Sequence, residues 1–191
     1  MFTGIIKKVG FIHSWNAKSR ILGIKSGFDS LILGESISCS GVCLTVCSFE
    51  KNIFYCNLSS ETVSKTNFKF KQEGDKLNLE KSLKIGEDLS GHLVFGHVDG
   101  ISTLNDIKND KDSWILKFSI SSELSKYLTN KCSICIDGIS LTVNKVDREN
   151  FDVSIVPFTW ENTNLKFSKV GDKFNIEIDM LARYVFKALN K

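Results

Sequence analysis

The chain has 191 residues, enough for two domains of about 95 residues each, with 42% hydrophobic and 25% charged residues. That composition is ordinary for a folded protein and argues against disorder. The formal net charge of +3, from 25 Lys+Arg against 22 Asp+Glu, is too small to point to nucleic acid, which would need a clustered basic excess.

The N-terminus, Met1-Phe2-Thr3-Gly4-Ile5-Ile6-Lys7-Lys8, lacks the basic-then-apolar order of a signal peptide. No apolar stretch approaches the roughly 20 residues that cross a bilayer, so a cytoplasmic protein without membrane contact is expected. A turn is expected at Asn16-Ala17-Lys18-Ser19, then a short helix over Phe28–Leu33. Cys39, Cys43 and Cys47 fall on a segment that reads as strand. Neighbours in that series would lie about 13 Å apart, too far to share one tetrahedral ion. In the strand Gly41-Val42-Cys43-Leu44-Thr45-Val46, Leu44 and Val46 face the core, while Cys43 and Thr45 share the other face.

Ile53–Leu58 is an alternating strand, and Glu73-Gly74-Asp75 is a turn. Trp114–Ile120 is a strand, and Ser121–Leu128 reads as a short helix with a serine cap. Cys132 and Cys135 form a C-x-x-C pair, but odd spacing on a strand points them to opposite faces. The six cysteines read as free thiols, and no metal site is expected. Asp147–Asn150 is a turn, and Phe174–Ile178 alternates as strand. From Asp179 to about residue 190 runs an amphipathic helix with the stripe Leu181, Tyr184, Val185, Ala188 and Leu189. That stripe either folds onto its own barrel or meets the same helix of other subunits; the second is favoured.

The strongest feature is an internal repeat at a shift of 97 residues. Gly41–Val46 meets Gly138-Ile139-Ser140-Leu141-Thr142-Val143, Phe54 meets Phe151, and Thr66-Asn67 meets Thr163-Asn164. Gly74-Asp75-Lys76-Leu77-Asn78-Leu79-Glu80 meets Gly171-Asp172-Lys173-Phe174-Asn175-Ile176-Glu177. The chain is therefore two copies of one β module, divided here as 1–92 and 93–189. Five or six short strands per copy favour a small closed antiparallel barrel, which leaves no open edge.

P-loop, G-x-G-x-x-G, H-E-x-x-H and G-x-S-x-G patterns are absent, so phosphate-dependent and nicotinamide chemistry have no support. Cys43 and Ser140 occupy one register position, which suggests two like sites with different tasks. The chain has three histidines. His92 and His97 lie at the seam Ser90-Gly91-His92-Leu93-Val94-Phe95-Gly96-His97-Val98-Asp99-Gly100. They are either acid–base candidates or hydrogen-bonded structural groups. On a strand their spacing of five would put them on opposite faces.

These segments resemble the riboflavin synthase family of the alpha-chain type. The likeness rests on the opening M-F-T-G-I-I, G-V-C-L-T-V, the seam motif G-H-L-V-x-G-H-V-D-G, I-D-G-I-S-L-T-V-N, and N-I-E-I-D before a terminal helix. The resemblance spans the whole chain. It implies an all-β fold of two tandem six-stranded Greek-key β-barrels with a C-terminal helix. It implies dismutation of two 6,7-dimethyl-8-ribityllumazine molecules to riboflavin and 5-amino-6-(D-ribitylamino)uracil, without metal or dissociable cofactor. It also implies a homotrimer, tied by terminal helices, whose site lies between barrels of two subunits. Lumazine synthase is a candidate partner.

By the same resemblance the first pocket takes Gly4, Ile5 and Ile6, then Cys43, Leu44 and Thr45. It adds Asn57, Leu58, Ser59, Ser60, Glu61, Thr62 and the backbone around His97. The second takes Gly96, His97 and Val98, then Ser140, Leu141 and Thr142. It adds Ser154, Ile155, Val156, Pro157, Phe158 and Thr159, with Lys131 reaching from a partner subunit. Phe2, Ser36, Cys43, His92, His97 and Ser140 fall at positions associated with reactivity, and Asp137 and Asp179 look like supporting residues. Phe95, Ser40 and Phe158 depart from the usual pattern; the last bears on the side-chain contact in the second pocket.

On this reading His97 or Ser140 assists deprotonation of one ring's methyl group, and Cys43 assists at the other ring. A non-catalytic lumazine- or flavin-binding antenna of the same superfamily is the alternative, and a degenerate structural barrel is a weaker one. The intact second copy and the terminal helix favour the enzyme.

Overall fold

The structure, a computed structural model, describes residues 1–189. The first repeat supplies β1 (Lys8–Asn16), β2 (Ile21–Lys25), β3 (Ser36–Cys39), β4 (Val42–Thr45), β5 (Ser48–Glu50), β6 (Ile53–Asn57) and β7 (Lys76–Lys81). They form one antiparallel sheet in the order β4-β3-β7-β1-β2-β6-β5. Its two end strands, β4 and β5, are consecutive in the chain, so the sheet curls round and closes through Val46 and Cys47. The Cys47 amide donates to the Tyr55 carbonyl at 2.9 Å.

The second repeat supplies β8 (Gly100–Asp110), β9 (Ser113–Ser119), β10 (Ser133–Ile136), β11 (Ile139–Val146), β12 (Asn150–Ile155) and β13 (Lys173–Ile178). These close into a barrel in the order β10-β11-β12-β9-β8-β13. Here the counterpart of β4 and β5 is the single strand β11. The fold is thus the expected pair of β-barrels followed by a helix.

Alternation along the strands fills each barrel. Ile12, Leu22, Ile24, Phe54, Leu77 and Leu79 are fully buried in the first. In the second, Phe118 stacks on Phe151 at 5.5 Å between centroids and meets Phe174 edge-on at 5.3 Å. Each such side chain contributes about 1.5–3 kcal/mol of burial. Phe2, Val94 and Cys135 form a third, small cluster, against which Cys43 packs.

The barrels meet about an approximate two-fold axis. Asn78 donates to Asn164 Oδ1 at 2.9 Å, and its register mate Asn175 donates to Asn67 Oδ1 at 3.0 Å. The backbone amides of Asn164 and Asn67 return bonds of 2.7 Å each. At the axis Gly41 and Gly138 abut with positive φ; a Cβ on Gly41 would come within 2.7 Å of the Gly138 nitrogen. One pair breaks the symmetry. Ser40 and Asp137 are register mates, yet only Asp137 is ionisable. Fully buried, it accepts from Asn67, Asn164 and the Asn175 amide. Burial pushes its carboxyl up to about 6, against the pull of Lys71 and of these hydrogen bonds.

Several expected elements differ. Phe28–Leu33 is not a helix, because its amide donors are bound elsewhere. Phe28 donates to Ser26 Oγ, Ile32 donates to Glu35 Oε1, and Phe28 and Leu31 pack on the first core. Cys39, Cys43 and Cys47 do not share a strand: the chain reverses at Ser40 and Gly41, both with positive φ, so Cys39 pairs with Val42. The spacing argument against a shared ion therefore does not apply to them. His92 and His97 are not on a strand either; in that segment only Val94 makes a bridge, to Phe2.

The helix α2 covers only Ser122–Ser125, without a side-chain cap bond at Ser121. Two helices were not expected, α1 (Ser60–Lys65) and α3 (Pro157–Asn162). At six residues each they are too short for a clear apolar stripe; Ser59 caps the first, and Pro157 opens the second.

The terminal helix α4 spans Met180–Leu189, with Asp179 Oδ1 accepting from the Leu181 amide at 2.9 Å. Residue 190 of the expected helix lies outside the described residues. Ala182 packs on the second barrel, the Phe186 ring meets Tyr127 at 5.0 Å, and Arg183 pairs with Asp99. Leu181, Tyr184, Val185 and Leu189 face outward and are exposed. Among the described residues no helix is long and apolar enough to cross a membrane.

Candidate functional site

Two loops connect the barrels to the candidate pockets, and both are held by a buried glutamate. Glu80, on β7, accepts from the Thr3 amide at 2.7 Å, the Thr3 hydroxyl at 2.7 Å and the Gly4 amide at 3.0 Å. Its register mate Glu177, on β13, accepts from the amides of Phe95 at 2.7 Å, Gly96 at 2.9 Å and His97 at 3.1 Å. Burial raises both carboxyl pKa values, and the hydrogen bonds partly oppose the rise.

Each loop then crosses to the other barrel. The Ser140 amide donates to the Gly4 carbonyl at 2.8 Å, and the Cys43 amide donates to the Gly96 carbonyl at 2.9 Å. Both glycines have positive φ, and both contacts are too close for a side chain. A Cβ would lie 2.6 Å from Ser140 Cβ at Gly4 and 2.5 Å from Cys43 Cβ at Gly96. The expected grouping is therefore corrected. Gly4 lies with the second-barrel residue Ser140, and Ile6 packs on the second core. Gly96 lies with Cys43, and Val98 packs on the first core.

In the second barrel a cavity of about 540 Å³ opens beside Ser140. Leu141, Thr142, Ser154, Val156 and Thr159 line it, as does Lys131 of the same chain. Ser90, Gly91, Ser133 and Asn144 line it too, and sequence reasoning missed them as pocket residues; the match of Ser36 with Ser133 was the available signal.

His92 is the histidine that joins this site. Its Nδ1 lies 2.7 Å from Ser140 Oγ. The ring is buried, which lowers its pKa, while the nearby Asp179 raises it. A neutral imidazole can accept the serine proton. His97 is exposed, its ring lying 6.1 Å from that of Phe95 and its backbone amide donating to Glu177.

Residues 3–82 and 95–179 each match the lumazine binding domain family. Riboflavin synthase of Brucella abortus is 41% identical over 193 residues, covering 96% of this chain and 96% of that protein. Riboflavin synthase of Photobacterium phosphoreum is 38% identical, covering 99% of this chain and 89% of the other. The chain belongs to the riboflavin synthase family. Among solved structures, LumP complexed with riboflavin superimposes with a TM-score of 0.85 at 22% identity, over 93% of this chain and 99% of that one. LumP complexed with 6,7-dimethyl-8-(1'-D-ribityl) lumazine gives 0.83 at 21%, with the same coverages. At that identity the likeness concerns the fold.

The remaining family-implied positions separate into walls and core. Cys43 is half-buried and Thr45 exposed on the face opposite Leu44, as the alternation requires. Asn57 and Ser59 are exposed, and Thr62 is half-buried; the Ser59 hydroxyl accepts from the Thr62 amide at 2.9 Å. Ser60 and Glu61 sit exposed on α1. Leu58 and Ile155 are buried core side chains that offer a pocket only their backbone. Phe2 is fully buried in the small cluster with Val94 and Cys135. Phe158 is 76% exposed, and Pro157 begins α3 beside it. Ile5 is half-buried, its amide 3.3 Å from the Thr3 hydroxyl.

Glu80 and Glu177 were also missed. Each repeat places a charged residue amid the buried positions of an apolar strand, which is the signal that a carboxylate is holding something.

Proposed function

We propose that the protein is a riboflavin synthase. It moves four carbons between two molecules of 6,7-dimethyl-8-ribityllumazine, giving riboflavin and 5-amino-6-(D-ribitylamino)uracil, without metal or cofactor. The observation that carries this reading is the match to riboflavin synthases at 33–41% identity along nearly the whole chain. Both halves, assigned here as 1–92 and 93–189, keep a polar strand face beside a glutamate-held loop.

The substrate is a neutral dione with a polyhydroxyl tail. Thr142, Ser154, Thr159 and Lys131 offer it hydroxyl and ammonium groups, and the loop glycines let backbone come close. The chemistry assigned to His92 and Ser140 is proton removal from a ring methyl. The methyl proton passes to Ser140 Oγ as the serine proton passes to His92 Nδ1. The electron pair left on carbon spreads into the ring. Cys43, in the other pocket, faces the second ring. Holding two rings face to face contributes up to about 7–11 kcal/mol through proximity when orientation is ideal.

The cavity beside Ser140 is lined by exposed residues such as Thr142, Ser154 and Val156, and on this reading a complete site takes a second pocket from another subunit. The outward stripe Leu181, Tyr184, Val185 and Leu189 on α4 supports assembly through this helix, and we assign a homotrimer. The six free thiols suit a reducing compartment, the cytoplasm.

A second reading, a lumazine or flavin binder without turnover, draws on the LumP likeness. Incubating the purified full chain with the lumazine separates the two. Appearance of riboflavin absorbance is expected; stably bound lumazine with no flavin formed would overturn the enzyme in favour of the binder.

A further inference from the structure

A carboxamide stands on the wall of each barrel, but on opposite strands of the register. In the second barrel Asn144, on β11, donates through Nδ2 to Ser154 Oγ on β12 at 2.5 Å. Shifting by 97 residues gives Cys47 and Asn57. There the amide is on β6, and Asn57 Nδ2 points to Cys47 Sγ at 3.6 Å. The two positions have exchanged which strand supplies the amide, while a small hydroxyl or thiol partner holds it in both barrels. Chance retention of a side chain does not preserve a function across a swap of strands; a need for an amide at that place does.

The geometry points to Asn144 as a ligand-contacting, specificity-determining residue of the second pocket, matched in space by Asn57 rather than by its register mate Cys47. Asn144 lines the 540 Å³ cavity together with Ser140, Thr142 and Ser154. One of its two N–H groups goes to Ser154. That leaves one donor and the carbonyl oxygen to address the cavity. A donor and an acceptor side by side complement a lactam edge, which presents an N–H beside a C=O. The class of ligand is therefore a cyclic imide or lactam heterocycle, and an analogue without the ring N–H should be rejected. Ser154 acts as a positioning residue, fixing the amide plane.

This inference rests on the reading of the cavity as a lumazine pocket, and the test keeps the two apart. The full chain is mixed rapidly with increasing 6,7-dimethyl-8-ribityllumazine and binding is read by fluorescence before turnover, in the parent and in the variants Asn144→Asp, Asn144→Leu and Ser154→Ala. A lost neutral hydrogen bond predicts roughly three- to tenfold weaker binding in one class of sites for Asn144→Leu. Asn144→Asp should be weakened at least as much, because a carboxylate opposes the lactam carbonyl. Ser154→Ala should weaken binding less, and its loss should vanish when it is combined with Asn144→Leu.

Urea unfolding of each variant checks that the barrel is intact. Should Asn144→Leu unfold in this test, Asn144→Asp, of nearly equal size, carries the result. Parent-like titrations for both Asn144 variants would overturn the assignment of Asn144. Absence of binding by the parent itself would instead overturn the lumazine reading.

Discussion

Glu80 and Glu177 stand 97 residues apart, and each holds, through three hydrogen bonds, a loop that serves the opposite barrel. The glutamate belongs to one repeat, and the strand that its loop touches belongs to the other. The barrels are therefore coupled through their pocket walls and not only through the asparagine contacts at the axis. Hydrogen bonds from neutral donors to a buried carboxylate contribute about 1.5–3 kcal/mol each.

A cross-wise effect follows. Glu177→Gln turns an amide N–H toward backbone donors and should loosen 95–97 and the Cys43 amide, while Gly4 and Ser140 stay protected. Glu80→Gln should do the reverse. Hydrogen exchange read by mass spectrometry on these peptides checks it. Loosening confined to the loop's own repeat, with the opposite strand unaffected, would contradict the coupling.

Asp137 gives the fold a pH dependence. Its carboxyl sits at about 6 in the folded protein against an ordinary 3.8, because burial disfavours the charge. The folded state thus holds the proton more tightly than the unfolded chain. Between about pH 4 and pH 6 the unfolded chain gives up this proton first, so stability falls as pH rises through that window and levels off above it. A shift of this size corresponds to about 3 kcal/mol. Glu80 and Glu177, also raised, act in the same sense. Asp137→Asn should therefore flatten part of the slope. Urea midpoints from pH 4 to pH 7 should show the parent losing its advantage over the variant as pH rises; parallel curves would remove Asp137 from the account.

Much of this was legible in the sequence. The identity of Gly41–Val46 with Gly138–Val143 in all but two positions fixed the duplication, and alternation then placed Leu44 and Val143 inside and Thr45 and Thr142 outside. The loop exchange was not legible. Thr3-Gly4 and Phe95-Gly96 correspond at a shift of 92, outside the 97-residue register, so nothing in the repeat shows which barrel each loop visits. The partner of Ser140 was hidden for a related reason. His92 precedes Gly96 by four residues, and a shift of 92 would carry it to a position before Met1. It has no counterpart in the first repeat, and sequence spacing alone favoured His97 equally. The short helices were lost to local chemistry: hydroxyl caps such as Ser59 act over three residues, too few to leave a periodic pattern.

The His92–Ser140 pair leads to a prediction about rate against pH. The imidazole pKa lies below the ordinary 6.5 because burial disfavours its cation, with Asp179 opposing. At pH 7 the ring is neutral and able to accept the serine proton. Protonation on the acid side removes that capacity, so the parent's kcat should fall along an acid limb displaced below the ordinary imidazole range. Ser140→Ala should slow turnover by about 10²-fold or more, the scale of general acid–base help. His92→Gln should also be slow and, lacking a titrating ring, should lose that acid limb. His97→Gln should keep it, because the ring paired with Ser140 is that of His92 and the His97 ring is exposed. Lumazine binding should persist in Ser140→Ala, since the cavity's other hydroxyls and its backbone contacts remain. Rapid-mixing turnover from pH 5 to pH 8, with ligand saturation confirmed at each pH, measures all of this. An acid limb that survives in His92→Gln and disappears in His97→Gln would transfer the proton-accepting role to the exposed histidine.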